Sequence, residues 1–393
     1  MKIGNVKIGL LPRLFAAIAL GVALGLFAPD WSIRAMNCFR DSFGQFIKFF
    51  VPFIIIGLVT PAIADTGRAA GRTLVLTMVI AYASTLFAGF FAYFVSRGVF
   101  PSVMSDALRD VAPKAFPAYF SLRIPPLMDV TTALAASFLV GLGIVATRAS
   151  TLERAAHELR DIVSRALSAA FVPLLPVYVM TTMADLTASG RLSMVGGGCL
   201  KIMGLALATT SAVLAVQYAV AGAVAGKNPV KALWNMLPAY LTGWGCCSSA
   251  ATIPCTLAQT RKNGVSDETA DLVIPLCANV HLAGSMANMV VYAAGLAVLA
   301  GEGLPFWAFV EYILLVSVTA VASPGVPGGV VLACAAVAES ALGFTAERYA
   351  VMIALYMALD GMGTACNLTG DGAIALVVDR FRKPGSAPAA TAA

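Results

Sequence analysis

Charge is what this chain has least of. Only 12% of its 393 residues are Asp, Glu, Lys or Arg, about half the ~25% usual for a soluble domain. With 59% hydrophobic residues, that shortage excludes a globule solvated on all sides. Histidine is scarcer still, with only His157 and His281. No Gly-x-Ser-x-Gly, His-Glu-x-x-His or nucleotide-phosphate loop accompanies them, and the lysine nearest Ser248 is Lys262, at the basic edge of its segment. A hydrolase built on Cys246, Cys247 or Ser248 therefore lacks a base, and the chain is not expected to be an enzyme. The cysteines show neither metal-ligand spacing nor a disulfide framework, and read as small reduced packing residues. Basic residues never crowd onto one soluble stretch, which excludes a nucleic-acid partner.

What is abundant is uninterrupted apolar sequence. Runs at 10–28, 74–95, 194–225 and 272–300 approach the ~20 residues that cross a bilayer core, so a lipid bilayer is the expected solvent. Early spans are expected at about 8–28, 38–64, 73–98, 129–148, 160–186 and 193–226. The proline-rich segment 99–128 reads as an extracytoplasmic loop, and the Pro/Ala/Ser tail 384–393 as disordered. Positive charge alternates along the chain. It falls at Lys2, Lys7 and Arg13, at Arg68 and Arg72, at Arg148, Arg154 and Arg160, at Lys227 and Lys231, at Arg261 and Lys262, and at Arg380, Arg382 and Lys383. Basic loops of this kind lie in the cytoplasm, which puts both termini there and points to a multi-pass protein of a bacterial-type plasma (inner) membrane. Ala28-Pro-Asp-Trp31 is a poor small-residue cleavage site, so the first run reads as a retained span.

From residue 230 the apolar pattern breaks. Within 233–257, Pro238, Gly243, Gly245, the run Cys247-Ser-Ser-Ala-Ala-Thr252 and Pro254 interrupt the middle. Within 304–342, Ser323-Pro-Gly-Val-Pro-Gly-Gly329 does the same. Lipid cannot satisfy the backbone groups that such breaks free, so they must be buried in protein or line a cavity. Flanks of only ~10–15 residues are too short to span alone, and each segment is expected to form a re-entrant helical hairpin. The basic Arg261-Lys262 end places the first hairpin on the cytoplasmic side, and the span at 267–300 places the second opposite. Such pairing points to an inverted repeat with its binding site at the midplane. Half-helix N-termini there face anions, and unwound carbonyls face cations.

Two carboxylates fall in the last apolar segment. Asp360 and Asp371 flank Thr364 and Asn367, and no Lys or Arg lies within 353–379. A carboxylate at bilayer depth persists mainly where it meets a cation, a polar ligand or water. An ammonium group together with a metal cation fits this face. A fixed ion pair inside the bundle is the blander alternative.

Four motifs in this order resemble the dicarboxylate/amino acid:cation symporters, the glutamate-transporter-like family. Ser248-Ser-Ala-Ala-Thr-Ile-Pro254 is similar to the serine-rich tip of its first hairpin, and Gly325-Val-Pro-Gly328 to the second tip. Ile274-Pro-Leu-Cys-Ala-Asn-Val-His-Leu-Ala-Gly-Ser285 resembles its unwound seventh helix, and 360–371 its eighth-helix motif. The resemblance implies an all-α membrane fold of eight spans and two opposed hairpins. It also implies a homotrimer in which a transport domain slides, elevator fashion, against a fixed scaffold. Residues 1–229 would be mainly scaffold, with the third and sixth helices partly in the moving part, and 230–380 the transport core. Asp360 would hold a substrate α-ammonium group, supported by Thr364, and Asn367 with the Ser248–Ser249 backbone would hold the α-carboxylate. Ser285 would line the pocket in place of a threonine, and Val326 and Gly328 would close over it. Sodium would sit at Asp371 with carbonyls of Cys277, His281 and Asn367. A second sodium would sit at carbonyls of Asn279, Ala320, Val321 and Ser323, oxygen sets suited to a hard cation. No organic cofactor is implied.

The departures from the family pattern narrow the expectation. Gly363 stands where members with acidic substrates carry an arginine, and an unpartnered buried carboxylate costs several kcal/mol. A small neutral amino acid is therefore the expected substrate. Tyr356 likewise stands where many members have aspartate. A further sodium site loses its oxygen ligands to His281, Ala283 and Leu86, beside Tyr82 and Thr85, leaving about two cations. His281 also invites coupling to protons, since imidazole titrates near neutral pH. A proton-coupled or dicarboxylate carrier of the same architecture is the alternative.

Overall fold

Surrounded by lipid, a backbone must satisfy its own N–H and C=O groups, and apolar runs do so as α-helix. The computed structural model of the protein describes residues 2–3, 6–7, 10–68, 72–104, 115–128, 130–166, 169, 172–190, 192–321, 323 and 328–382, nearly all of them helical. Two short strands, β1 (Lys2–Ile3) and β2 (Val6–Lys7), pair antiparallel at the start. The helices that follow are α1 (Leu10–Phe27), α2 (Asp30–Arg68), α3 (Arg72–Val103), α4 (Val130–Thr147), α5 (Ser150–Ala166), α6 (Val172–Ala188) and α7 (Leu192–Ala225). Shorter pieces come next: α8 (Pro229–Asn235), α9 (Leu237–Cys246), α10 (Ser249–Lys262), α11 (Asp267–Val280) and α12 (Ala283–Leu299). The chain closes with α13 (Phe306–Val321), α14 (Gly329–Ala333), α15 (Ala335–Leu342) and α16 (Ala346–Phe381).

Burial sorts these helices into an outer and an inner set. In Thr73–Val103 and Gly197–Ala225 only 33% of the residues in the most apolar window are buried, against 94% in Asp267–Leu299 and 83% in Ala346–Phe381. All four are long and apolar enough to cross a membrane. Apolar residues that the chain itself leaves partly open call for an apolar surrounding, so the first pair suits the periphery. The second pair is the centre. Helix α16 packs against α7, α9, α11 and α12, and α12 packs against α3. Gly284 permits this closeness, because a Cβ there would sit 2.5 Å from both the Gly363 carbonyl oxygen and Cys366 Cβ.

Within the expected span at 160–186 the described helices are α5, up to Ala166, and α6, from Val172, while residues 167, 168, 170 and 171 lie outside the described residues. Helix α5 carries six charged residues among its 17 and buries only a narrow stripe that includes Ala156 and Val163. That charge suits an interfacial helix, whereas α6 is apolar. The loop expected from residue 99 also begins later, since α3 runs to Val103 with Pro101 in its last turn. Pro101 cannot donate to the Arg97 carbonyl, and the helix stops two residues later. Residues 105–114 of that loop, the tail 384–393 and the Pro324–Pro327 part of the second tip lie outside the described residues.

The two ends of α16 are anchored by polar contacts. At its start, Thr345 Oγ1 caps the helix by accepting from the Arg348 N–H. Buried Arg40 of α2 bridges Asp185 of α6 at 2.9 Å and Glu347 of α16 at 3.3 Å, while the Tyr178 hydroxyl donates to the Ala346 carbonyl at 2.9 Å. At its other end, Arg382 pairs with Glu268 at 2.7 Å.

Candidate functional site

Three breaks in helix continuity converge on the middle of α16. The first separates α9 from α10 at Cys247, whose φ of 50° is left-handed, a conformation uncommon outside glycine. Ser248 and Ser249 follow it and open α10, whose first-turn N–H groups have no partner within the helix. The second lies at His281–Leu282, between α11 and α12. The third follows α13 and ends at Gly328, left-handed at φ 74°, which opens α14.

The donors freed at the second break are satisfied from other helices. Leu282 N–H donates to Thr85 Oγ1 at 3.2 Å. The α12 start has no cap of its own. Instead Asn367 of α16 accepts from the N–H groups of Gly284 at 2.8 Å and Ser285 at 3.2 Å through Oδ1. Its Nδ2 donates to Ser285 Oγ at 3.0 Å. One amide N–H of Asn367 thus stays free for a ligand. Asn367→Ala strips three bonds at once, and a buried unsatisfied group costs about 1–3 kcal/mol. The expected result is a clearly lower melting temperature in detergent, with Asn367→Asp, which keeps the capping acceptor, falling less.

Together the breaks enclose a cavity of about 90 Å³, room for several waters or a small organic molecule. Ser248, Ser249, Ser285, Asp360, Thr364 and Asn367 line it, as do Asn279, Ala320, Val321 and Ser323. Most of the residues expected to bind substrate, and the whole expected second sodium set, therefore face one space. Among the described residues no Lys or Arg lines that space. Among the same residues Asp360 is the single acid. One carboxylate oxygen of Asp360 accepts the Gly328 N–H at 2.9 Å, and the Tyr356 hydroxyl also interacts with this carboxylate. Gly328 has no room for a side chain, because a Cβ would lie 2.3 Å from Met357 Sδ. Gly363 sits behind the wall, facing α12, and Val326 lies outside the described residues.

Asp371 is not among the residues that line that space and is buried. Its Oδ1 lies 2.9 Å from His281 Nδ1, with both side chains no more than 1% exposed, and its Oδ2 has no partner. The same ring nitrogen is 3.2 Å from the Asn367 carbonyl. On the far edge of the ring, Nε2 meets Ser84 Oγ at 3.1 Å and Gln217 Nε2 at 3.2 Å. A proton on Nδ1, toward Asp371, would leave Nε2 to accept from Ser84 or Gln217. Asp371 thus takes its partner from outside the stretch 353–379. The Cys277 carbonyl, expected at the same cation site, accepts the His281 N–H at 2.8 Å and closes α11. The hydroxyls near the expected missing site are in use, Tyr82 with Ser317 at 2.7 Å and Thr85 with Ala81 at 3.0 Å.

Sequence reasoning passed over Ser84, Gln217 and Asn288. Each is a polar residue inside an otherwise apolar run, the signal by which intramembrane sites are found.

The chain is similar to known transporters. Neutral amino acid transporter B(0) of Mus musculus is 29% identical over 167 residues, 41% of this chain and 30% of that protein. The chain thus aligns with about a third of the length of those relatives. Serine/threonine transporter SstT of Acinetobacter baylyi is 23% identical over 96% of this chain and 98% of its own length. The same-named protein of Streptococcus thermophilus is 22% identical over 83% and 84%. The model of the sodium:dicarboxylate symporter family matches residues 10–381, from the start of α1 to the end of α16. A helical membrane architecture, interrupted helices around a buried acid and that match along nearly the whole chain have one explanation: the chain belongs to the sodium:dicarboxylate symporter family.

Proposed function

We propose that the protein is a sodium-coupled symporter that imports a small neutral amino acid. The observation that carries this reading is the cavity wall. It holds one carboxylate, Asp360, and no lysine or arginine among the described residues. One fixed negative charge beside serine and asparagine side chains suits a zwitterion. The ammonium group meets Asp360, and the α-carboxylate meets the free amide N–H of Asn367 and the α10 N-terminus at Ser249. A dicarboxylate would bring a second anion with nothing to neutralise it. The names of the relatives, which specify neutral amino acids and serine/threonine, support the same choice.

Sodium would bind at Asp371, through its unpartnered oxygen, and among the carbonyls of Asn279, Ala320, Val321 and Ser323. Helices α9–α10 and α13–α15 would be the two re-entrant hairpins, with 230–380 as a transport core moving against a trimeric scaffold. The Gly328–Asp360 bond supports that mechanism, because it ties the second tip to the acid that the substrate must reach. Coupling to protons is the second reading, favoured by the His281–Asp371 contact.

Uptake into proteoliposomes tests both readings. An inward sodium gradient is expected to drive accumulation of a small neutral amino acid, with aspartate and succinate failing to compete. Accumulation driven by a proton gradient without sodium would replace the first reading with the second. Effective competition by dicarboxylates would overturn both the substrate class and the role given to Gly363.

A further inference from the structure

We infer that Asn288 on α12 is the contact that selects the substrate's side chain. The favoured substrates are then neutral amino acids bearing a hydroxyl or carboxamide, not a plain alkyl group. The inference rests on the neutral amino acid reading above and adds to it the chemistry of the side-chain end.

Asn288 is wholly buried, at 0% exposure, yet neither its Oδ1 nor its Nδ2 has a hydrogen-bond partner. Burying an amide in that condition is costly, and nearly every such group in a protein finds a partner. Nothing in the packing of this apolar helix requires an amide there. Its position explains it. Asn288 lies one turn beyond Ser285 on the same face of α12, and Ser285 lines the cavity. Across from it is Gly363, where a Cβ would approach Asn288 Nδ2 to 3.0 Å and the Ser285 backbone to 3.6 Å. The absent side chain at 363 is therefore what leaves room for the Asn288 amide. A further turn along α12, the buried Tyr292 hydroxyl also lacks a partner. Its ring stands edge-on to Tyr356, with centroids 6.4 Å apart.

Ser285, Asn288 and Gly363 thus meet at one point beside the cavity, next to the acid that would hold the ammonium group. An uncharged amide offers an acceptor and donors together. A substrate hydroxyl can use either, and a substrate carboxamide can use both. An alkyl side chain leaves both unfilled. Sites built to hydrogen-bond a substrate group discriminate strongly against the analogue lacking it, because their own polar atoms are then left unpaired.

The test uses substrate pairs that differ by one hydroxyl: serine with alanine, and threonine with 2-aminobutyrate. Each competes, in sodium-driven proteoliposomes, against uptake of labelled serine. In the wild type the hydroxylated member should compete about tenfold or more better. In Asn288→Leu that ratio should collapse toward one. Gly363→Ala, which sets a methyl group against the amide, should lower it as well, and serves as the readout if the leucine variant does not fold. Equal competition within both pairs by the wild type overturns the inference, as does a full hydroxyl preference retained in the variants. If no neutral amino acid competes at all, it is the proposed substrate class that has failed.

Discussion

Asp360→Asn should abolish substrate uptake while leaving a folded protein that still responds to sodium. The substitution keeps the size of the side chain and an oxygen that can accept the Gly328 N–H, now 2.9 Å from the carboxylate. What it removes is the charge. Hydrogen bonds to a charged group are worth roughly 1.5–3 kcal/mol, and the loss of ion–ion attraction at a carboxylate only 6% exposed adds to this. A weakening of about 100-fold or more is expected, since each 1.4 kcal/mol is tenfold in affinity. The measurements are labelled uptake and the rise in melting temperature on adding sodium, alone and with substrate. Sodium alone should still stabilise the variant, because Asp371 is not among the residues lining the Asp360 cavity. Normal uptake by Asp360→Asn would mean that the ammonium group binds elsewhere.

The second large effect concerns stability. His281→Leu is expected to destabilise the protein by about 3–5 kcal/mol, the usual outcome when one member of a buried polar pair is removed and the other left behind. Asp371 would lose its 2.9 Å partner, and Ser84 and Gln217 would face a hydrocarbon surface in place of the ring. Asp371→Leu should be damaging for the mirror-image reason. The double replacement should be much milder than the sum, because two apolar side chains leave no bare charge. Melting temperatures of the four proteins complete a double-mutant cycle. Strict additivity would show that the contact carries no energy.

The overall plan was legible in the sequence because lipid imposes simple rules. Apolar runs had to be helices, and the Gly, Pro and Ser interruptions near Cys247 and Gly328 had to face one another. Ser248, Asp360 and Asn367 accordingly share a wall. The start of one span was harder to read. The expected beginning at residue 160 falls inside the charged helix α5, which already starts at Ser150. The contact between His281 and Asp371 joins residues 90 positions apart, and the cap that Asn367 provides for α12 spans more than 80. Periodicity carries no information about such pairings. Asn288 escaped for another reason: a single amide in an apolar helix is ordinary until its neighbours reveal that nothing answers it.

A peptide hydrogen already rests on Asp360, that of Gly328, with 2.9 Å between nitrogen and oxygen. A cationic newcomer would have to share the acid with it or push it aside. Either way, what happens at the acid would be felt at once where α14 begins.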